Sequence, residues 1–115
     1  MRDYRKYKVW ELGHEITLNI YKSTSNFPKQ EIYGIVSQMR RAAYSIPSNI
    51  VEGCGRESDA EFRRFLIISQ GSANELEYFT VLAKDLGYLE QESFAELNDK
   101  VDKIRRSLNN LINKI

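Results

Sequence analysis

Apolar residues recur along this chain at the three-and-four spacing of amphipathic helices, and no stretch alternates in the manner of a strand. Val9, Leu12, Ile16 and Ile20 share one face of a first helix running roughly from Tyr7 to Ser25. Ser23, Thr24, Ser25 and Asn26 then compete with the backbone for hydrogen bonds and favour a stop. Phe27-Pro28 opens a second helix, because proline in a first turn gives up only an N–H that would be unpaired anyway. Ile32, Ile35, Met39, Ala43, Ile46 and Ile50 mark its apolar face, and Gly53 and Gly55 end it. Ser58, three residues before Glu61, is spaced for a capping box that starts a third helix, with Asp59 and Glu61 also favoured by its dipole. Its core stripe reads Phe62, Phe65, Leu66, Ser69, Ala73, Leu76, Phe79 and Leu82, closing at Gly87. The fourth helix starts near Glu90 or Gln91 and carries the cleanest heptad, Leu97, Val101, Ile104, Leu108, Leu111 and Ile115.

Short connections favour antiparallel neighbours, so the expected fold is all-α, a single domain over residues 1–115 built as an up-down-up-down four-helix bundle. Pro47 falls inside the second helix while the apolar pattern continues on both sides of it. It has no N–H to offer the Ala43 carbonyl and its ring crowds that group, so the helix is expected to kink there. Such a proline costs about 3 kcal/mol in a helix interior, and something in the tertiary or quaternary structure must offset it. Gly71, Ser72 and Ala73 place a run of small residues inside the third helix, which suggests a close approach of backbones: most simply a tight crossing with the second helix near Ala42, Ala43 and Ser45, the alternative being a shallow site for a partner.

Several motifs fall in order along the chain: FP at Phe27 and Pro28, Glu31, YGI at Tyr33 to Ile35, QMRRAA at Gln38 to Ala43, SIPSNIVEG at Ser45 to Gly53, Arg56, EFRRFL at Glu61 to Leu66 and GSANELE at Gly71 to Glu77. Together they resemble the four-helix bundle proteins encoded in intervening sequences of bacterial 23S rRNA genes. That family includes the accessory variability determinant of diversity-generating retroelements, a ring-forming homopentamer that binds nucleic acid and a reverse transcriptase. The resemblance implies a bundle that assembles as a homo-oligomer, with five chains favoured, and RNA, DNA or a reverse transcriptase as partners. It implies a binding protein and no catalysis; the alternative is a scaffold ring that binds protein alone.

Charge and composition narrow this reading. Seventeen basic and sixteen acidic residues leave a net charge of +1, so any nucleic-acid contact must come from local patches. The first such patch is Arg2, Arg5, Lys6 and Lys8, interleaved with Tyr4, Tyr7 and Trp10, whose rings can stack on bases or cover the bundle. Arg40 and Arg41 adjoin on the second helix, and Arg63 and Arg64 on the third. On the fourth, Glu96, Asp99 and Asp102 lie at helical spacings from Lys100, Lys103 and Arg106, the pattern of a self-paired solvated face. Gln38, Arg41, Pro47, Asn49, Glu52, Arg56, Gly71, Ser72 and Glu75 form the candidate structural or interface network, with Gln70, Asn74 and Glu77 nearby. An arginine turned inward there needs a carboxylate such as Glu52 or Glu75 beside it.

Catalytic chemistry finds few groups to use. One histidine, one cysteine and no phosphate-cradling glycine loop leave Cys-His pairs and nucleotide sites without their parts. Glu11 and His14 form one E-x-x-H pair, but a di-iron bundle needs a second such pair and two further carboxylates. Neither catalysis, cofactor nor metal is expected. Cys54 alone permits no intramolecular disulfide, the opening MRDYRKYKVWELGHE lacks the apolar core of a signal peptide, and the Phe65–Ile68 run is far too short to span a bilayer. A cytoplasmic protein without membrane contact is the expectation.

Overall fold

The apolar stripes become the facing surfaces of four helices. A computed structural model describes residues 2–115, with α1 at Lys8–Thr24, α2 at Ile35–Cys54, α3 at Asp59–Asp85 and α4 at Gln91–Lys114. Short 3-10 turns at Tyr4–Lys6 and Lys29–Glu31 precede α1 and α2, and no strand occurs among the described residues. Val9, Ile16, Ile20, Met39, Ile46, Ile50, Phe62, Leu66, Leu76, Val101, Ile104 and Leu108 form the buried centre. Each large apolar side chain fully buried there contributes about 1.5–3 kcal/mol relative to exposure.

Side-chain partners run in opposite sequence order on neighbouring helices. On α1 and α2, Gly13 lies against Pro47, Thr17 against Ala43 and Thr24 against Arg40. On α2 and α3, Gly53 meets Phe62 and Phe65, while Ser69 donates to the Ile46 carbonyl at 2.9 Å. Between α3 and α4, Arg63 reaches the Ile112 carbonyl, Gln70 reaches Asn109, and Glu77 reaches Arg105. Lys100 donates to Asn19 at 2.7 Å across α4 and α1. The α2–α3 pairing is the most extensive and the α1–α4 pairing the sparsest of these four.

Pro47 is buried within α2, which continues across it as helix. The carbonyl it leaves without an amide partner, that of Ala43, lies 3.1 Å from the Thr17 hydroxyl, which also reaches the Gly13 carbonyl at 2.7 Å. Gly13 makes this approach possible: a Cβ there would sit 3.1 Å from Ile46 Cγ2 and 3.3 Å from Pro47 Cδ. The one hydroxyl proton of Thr17 is shared between these two carbonyls, so α1 offers the carbonyl that proline orphans a shared donor, which offsets part of the proline's cost.

The element ends follow local chemistry, with corrections to the sequence reading. The Ser58 hydroxyl caps α3 by accepting from the Glu61 N–H at 3.1 Å. Gly87, at φ 83°, is the one described residue with a left-handed backbone; its N–H bonds the Lys84 carbonyl and that of Tyr88 bonds Ala83, a Schellman closure of α3. α2 begins at Ile35 and not at Phe27-Pro28, because Gly34 interrupts the chain in a conformation that is not helical. Ile32 and Tyr33 consequently point outward, Tyr33 at 93% exposure. Gly53 does not stop α2; it lies inside the last turn, buried, where a Cβ would fall 2.9 Å from Phe65 Cβ, and Gly55 takes the cap. In α3 the innermost positions pass to Thr80 and Ala83, leaving Phe65, Phe79 and Leu82 half-buried. On α4, Ile112 replaces Leu111 as the last core residue, since a straight helix drifts from a strict heptad.

The small-residue run is the clearest correction. Ala73 is buried, but a Cβ on Gly71 would meet nothing within 4 Å, so Gly71 is not part of a crossing within the chain. Its position on the α3 helix lies off the core stripe.

Candidate nucleic-acid interface

Antiparallel order brings the start of α1, the end of α2, the start of α3 and the end of α4 to one end of the bundle. Six of the eight cations singled out from sequence gather at this end: Arg2, Arg5, Lys6, Lys8, Arg63 and Arg64. Arg40 and Arg41 lie toward the other end, on the first turns of α2, and do not join them.

The gathered cations differ in what they already hold. Arg2 donates to the Arg56 carbonyl at 2.8 Å, pairs with Asp59, and lies over the Phe62 ring with its guanidinium carbon 4.3 Å from the centroid. It fastens the segment before α1 to the corner between α2 and α3. Arg5 pairs with Asp3 at 3.3 Å and Lys8 with Glu11 at 3.6 Å, both exposed pairs. The Asp3 carboxyl is held below the usual carboxylate range, first by the Arg5 backbone N–H that it accepts. Arg63 caps the end of α4 through the Ile112 carbonyl at 3.4 Å. Lys6 and Arg64 are exposed and form no ion pair among the described residues; Arg64 lies over Phe65 at 5.5 Å.

The aromatic residues of this end pack on the bundle. Tyr7 meets Phe62 edge-on at 5.6 Å, Tyr4 meets Trp10 at 4.9 Å, and Trp10 stacks on His14 at 5.2 Å. Beside Tyr7 a cleft of about 240 Å³ opens between the first turn of α1 and the last turns of α4, lined by Tyr7, Lys8, Ser107, Asn110, Leu111 and Lys114. Lys114 and Asn110 escaped the sequence reading. The signal that finds them is antiparallel order itself, which puts the last turn of α4 against the first turn of α1.

Elsewhere, Arg40, Lys103 and Arg105 are held by partners within the protein. Arg40 donates from Nε to Thr24 at 2.9 Å and lies over the Tyr21 ring at 4.6 Å, closing the end of α1. On α4, Lys103 pairs with Asp99 at 3.2 Å, and Arg105, not Arg106, takes Asp102 at 2.6 Å together with Glu77 at 2.8 Å. The Asp102 hydrogen bond leads the causes that hold the Arg105 guanidinium above its usual value.

The candidate polar network is not a buried one. Glu52 and Arg56 pair at 2.8 Å along the surface of α2, with Arg56 also over Phe65 at 4.8 Å. Asn49 bonds back to the Ser45 carbonyl at 2.8 Å, and the Ser72 hydroxyl lies 3.4 Å from the Ile68 carbonyl. Gln38, Arg41 and Glu75 face solvent, and neither Arg41 nor Glu75 forms an ion pair among the described residues. His14 and Glu11 do not converge with further ligands: no group of three His, Cys, Asp or Glu side chains among the described residues could hold a metal. Burial pushes the Cys54 thiol up.

Four helices with short connections, a basic and aromatic end, and an exposed polar face on α2 and α3 define a small four-helix bundle. The family model of the 23S rRNA-intervening sequence proteins matches residues 5–110, and the chain belongs to that family. It is also similar to a crystal structure of a protein of unknown function from the S23 ribosomal protein family of Bacteroides thetaiotaomicron, with a TM-score of 0.81 and 29% identity over 90% of this chain and 97% of that one. No curated protein matches the chain.

Proposed function

We propose that this protein is a non-catalytic homo-oligomeric bundle that holds nucleic acid at its basic end. The observation that carries the reading is the convergence there of Lys8 and Lys114 beside Tyr7 and the amide of Asn110 around a cleft open to solvent, with exposed Lys6 at the same end of the bundle. Lysines supply point charges for phosphates, the amide supplies hydrogen bonds to sugar or base edges, and the half-buried tyrosine supplies one edge for stacking. Repetition of a weak patch around an oligomer multiplies its affinity. Five chains is the state implied by the family resemblance. A cytoplasmic location is part of this reading, and the free thiol of Cys54 suits a reducing compartment; no described helix is long and apolar enough to cross a membrane.

Fluorescence anisotropy with labelled single-stranded RNA, single-stranded DNA and duplex DNA, run from low to high salt, tests the reading. Binding that falls steeply with salt and is lost in Lys8→Glu/Lys114→Glu supports it. No binding at low salt overturns it. The second reading, a scaffold ring that binds protein alone, draws support from the outward Ile32 and Tyr33, an exposed hydrophobic knob.

A further inference from the structure

The outer surfaces of α2 and α3 carry a second set of stripes that the core does not use. On α2, Ser37, Arg41, Tyr44, Ser48 and Val51 follow one another by four and three residues and are all exposed. On α3, Arg64, Ile68, Gly71, Glu75 and Tyr78 do the same. Tyr44, Ile68 and Tyr78 are 46%, 39% and 59% exposed, and this four-three spacing is what a helix presents to a partner helix.

We propose that α2 of one copy packs antiparallel along α3 of the next copy, with Tyr44 seated on the bare backbone of Gly71. The proposal rests on the homo-oligomer reading above and names the contact that builds it. Set antiparallel, the two stripes match layer by layer. Arg41 comes opposite Glu75, an arginine and a carboxylate that each form no ion pair among the described residues. Tyr44 comes opposite Gly71, Ser48 opposite Ile68, and Ser37 opposite Tyr78, so each large side chain faces a small one, as interdigitating helices require. Val51 falls beside the aliphatic stem of Arg64. Gly71 then has a purpose that nothing within the chain supplies, since its Cβ position is empty and glycine is unfavourable in a helix interior.

The two faces are different surfaces of one chain, so the contact is heterologous and repeats head to tail. Because α2 and α3 occupy neighbouring corners of the bundle, their outward directions differ. Successive contacts therefore turn, and they form a ring where that rotation closes on itself.

Light scattering coupled to size exclusion, without nucleic acid, tests the contact on the wild type and four variants. Gly71→Leu fills space that is open in the chain, so it keeps its helical circular dichroism and a cooperative melt while the mass falls to that of one chain. Arg41→Glu and Glu75→Arg each weaken assembly at least tenfold, and Arg41→Glu/Glu75→Arg restores the wild-type mass. An oligomer that keeps its mass in all three single variants, or a double variant that fails to recover while both singles dissociate, overturns this contact and leaves the oligomer standing. A wild type that remains a 13.4 kDa monomer at high micromolar concentration overturns both.

Discussion

Glycines of this chain that sit inside helices differ by what surrounds them. Gly53 faces Phe65 Cβ at 2.9 Å and the Phe62 carbonyl at 3.3 Å, whereas Gly71 faces open space. Gly53→Ala is therefore expected to lower stability by about 1–3 kcal/mol through overpacking, while Gly71→Ala, measured at concentrations where the chain is monomeric, raises it by up to about 1 kcal/mol through helix propensity. Urea denaturation of the two variants decides the signs. Thr17 gives a second test. Thr17→Val removes the hydroxyl near the Ala43 carbonyl and should cost about 1–2 kcal/mol. In a Pro47→Ala background the backbone amide returns to that carbonyl, and the cost of Thr17→Val should shrink measurably in a double-mutant cycle. At this scale the sequence announced the problem and not its solution: Pro47 is visible as a helix breaker, but that Thr17 stands opposite Ala43 depends on a register between helices that no local pattern encodes.

Elements were legible where periodicity was strong and blurred where backbone conformation intervened. The Ser58 cap and the closure at Gly87 are local chemistry, and both stand in the structure. The start of α2 is displaced because Pro28 and Gly34 frame a 3-10 turn of Lys29, Gln30 and Glu31, side chains that a helix accepts equally well. That turn is tied to the α3–α4 connection by the Tyr88 hydroxyl, which donates to the Glu31 carboxylate at 2.7 Å. The hydrogen bond is the leading cause that raises the Tyr88 phenol above its usual value. With the folded value above the unfolded one, this tie contributes stability that is whole below about pH 10 and lost as pH climbs through the raised value. Thermal melts from pH 8 to 11 should show a shallower alkaline fall in Tyr88→Phe than in the wild type. The segment before α1 makes a second element-scale prediction. Arg2 and Tyr7 cover Phe62, which packs against Gly53, the residue before buried Cys54, so Arg2→Ala should speed native-state labelling of Cys54 by iodoacetamide, with unfolded-state labelling unchanged.

For the whole molecule, the fold was readable because each helix declares one apolar stripe, and four stripes joined by short connections have few ways to close. The candidate interface was readable only in part. Arg2, Arg5, Lys6 and Lys8 are neighbours in sequence, but Lys114 joins them only after α4 has folded back along α1, and Arg40 is removed from the set by Thr24 and Tyr21. If Lys8 and Lys114 each neutralise a phosphate, removing both should reduce the slope of log affinity against log salt by roughly 1.4 to 1.8. A salt titration of Lys8→Ala/Lys114→Ala measures it. The buried proline of α2 also bears on the order in which the chain acquires structure. Thr17 has already been synthesised when Ala43 and Pro47 emerge, so the α1–α2 hairpin can satisfy that carbonyl before α3 exists. The second half of α2 should thus become protected from amide exchange only once α1 has docked, which makes that hairpin, and not any single helix, the earliest cooperative unit of folding.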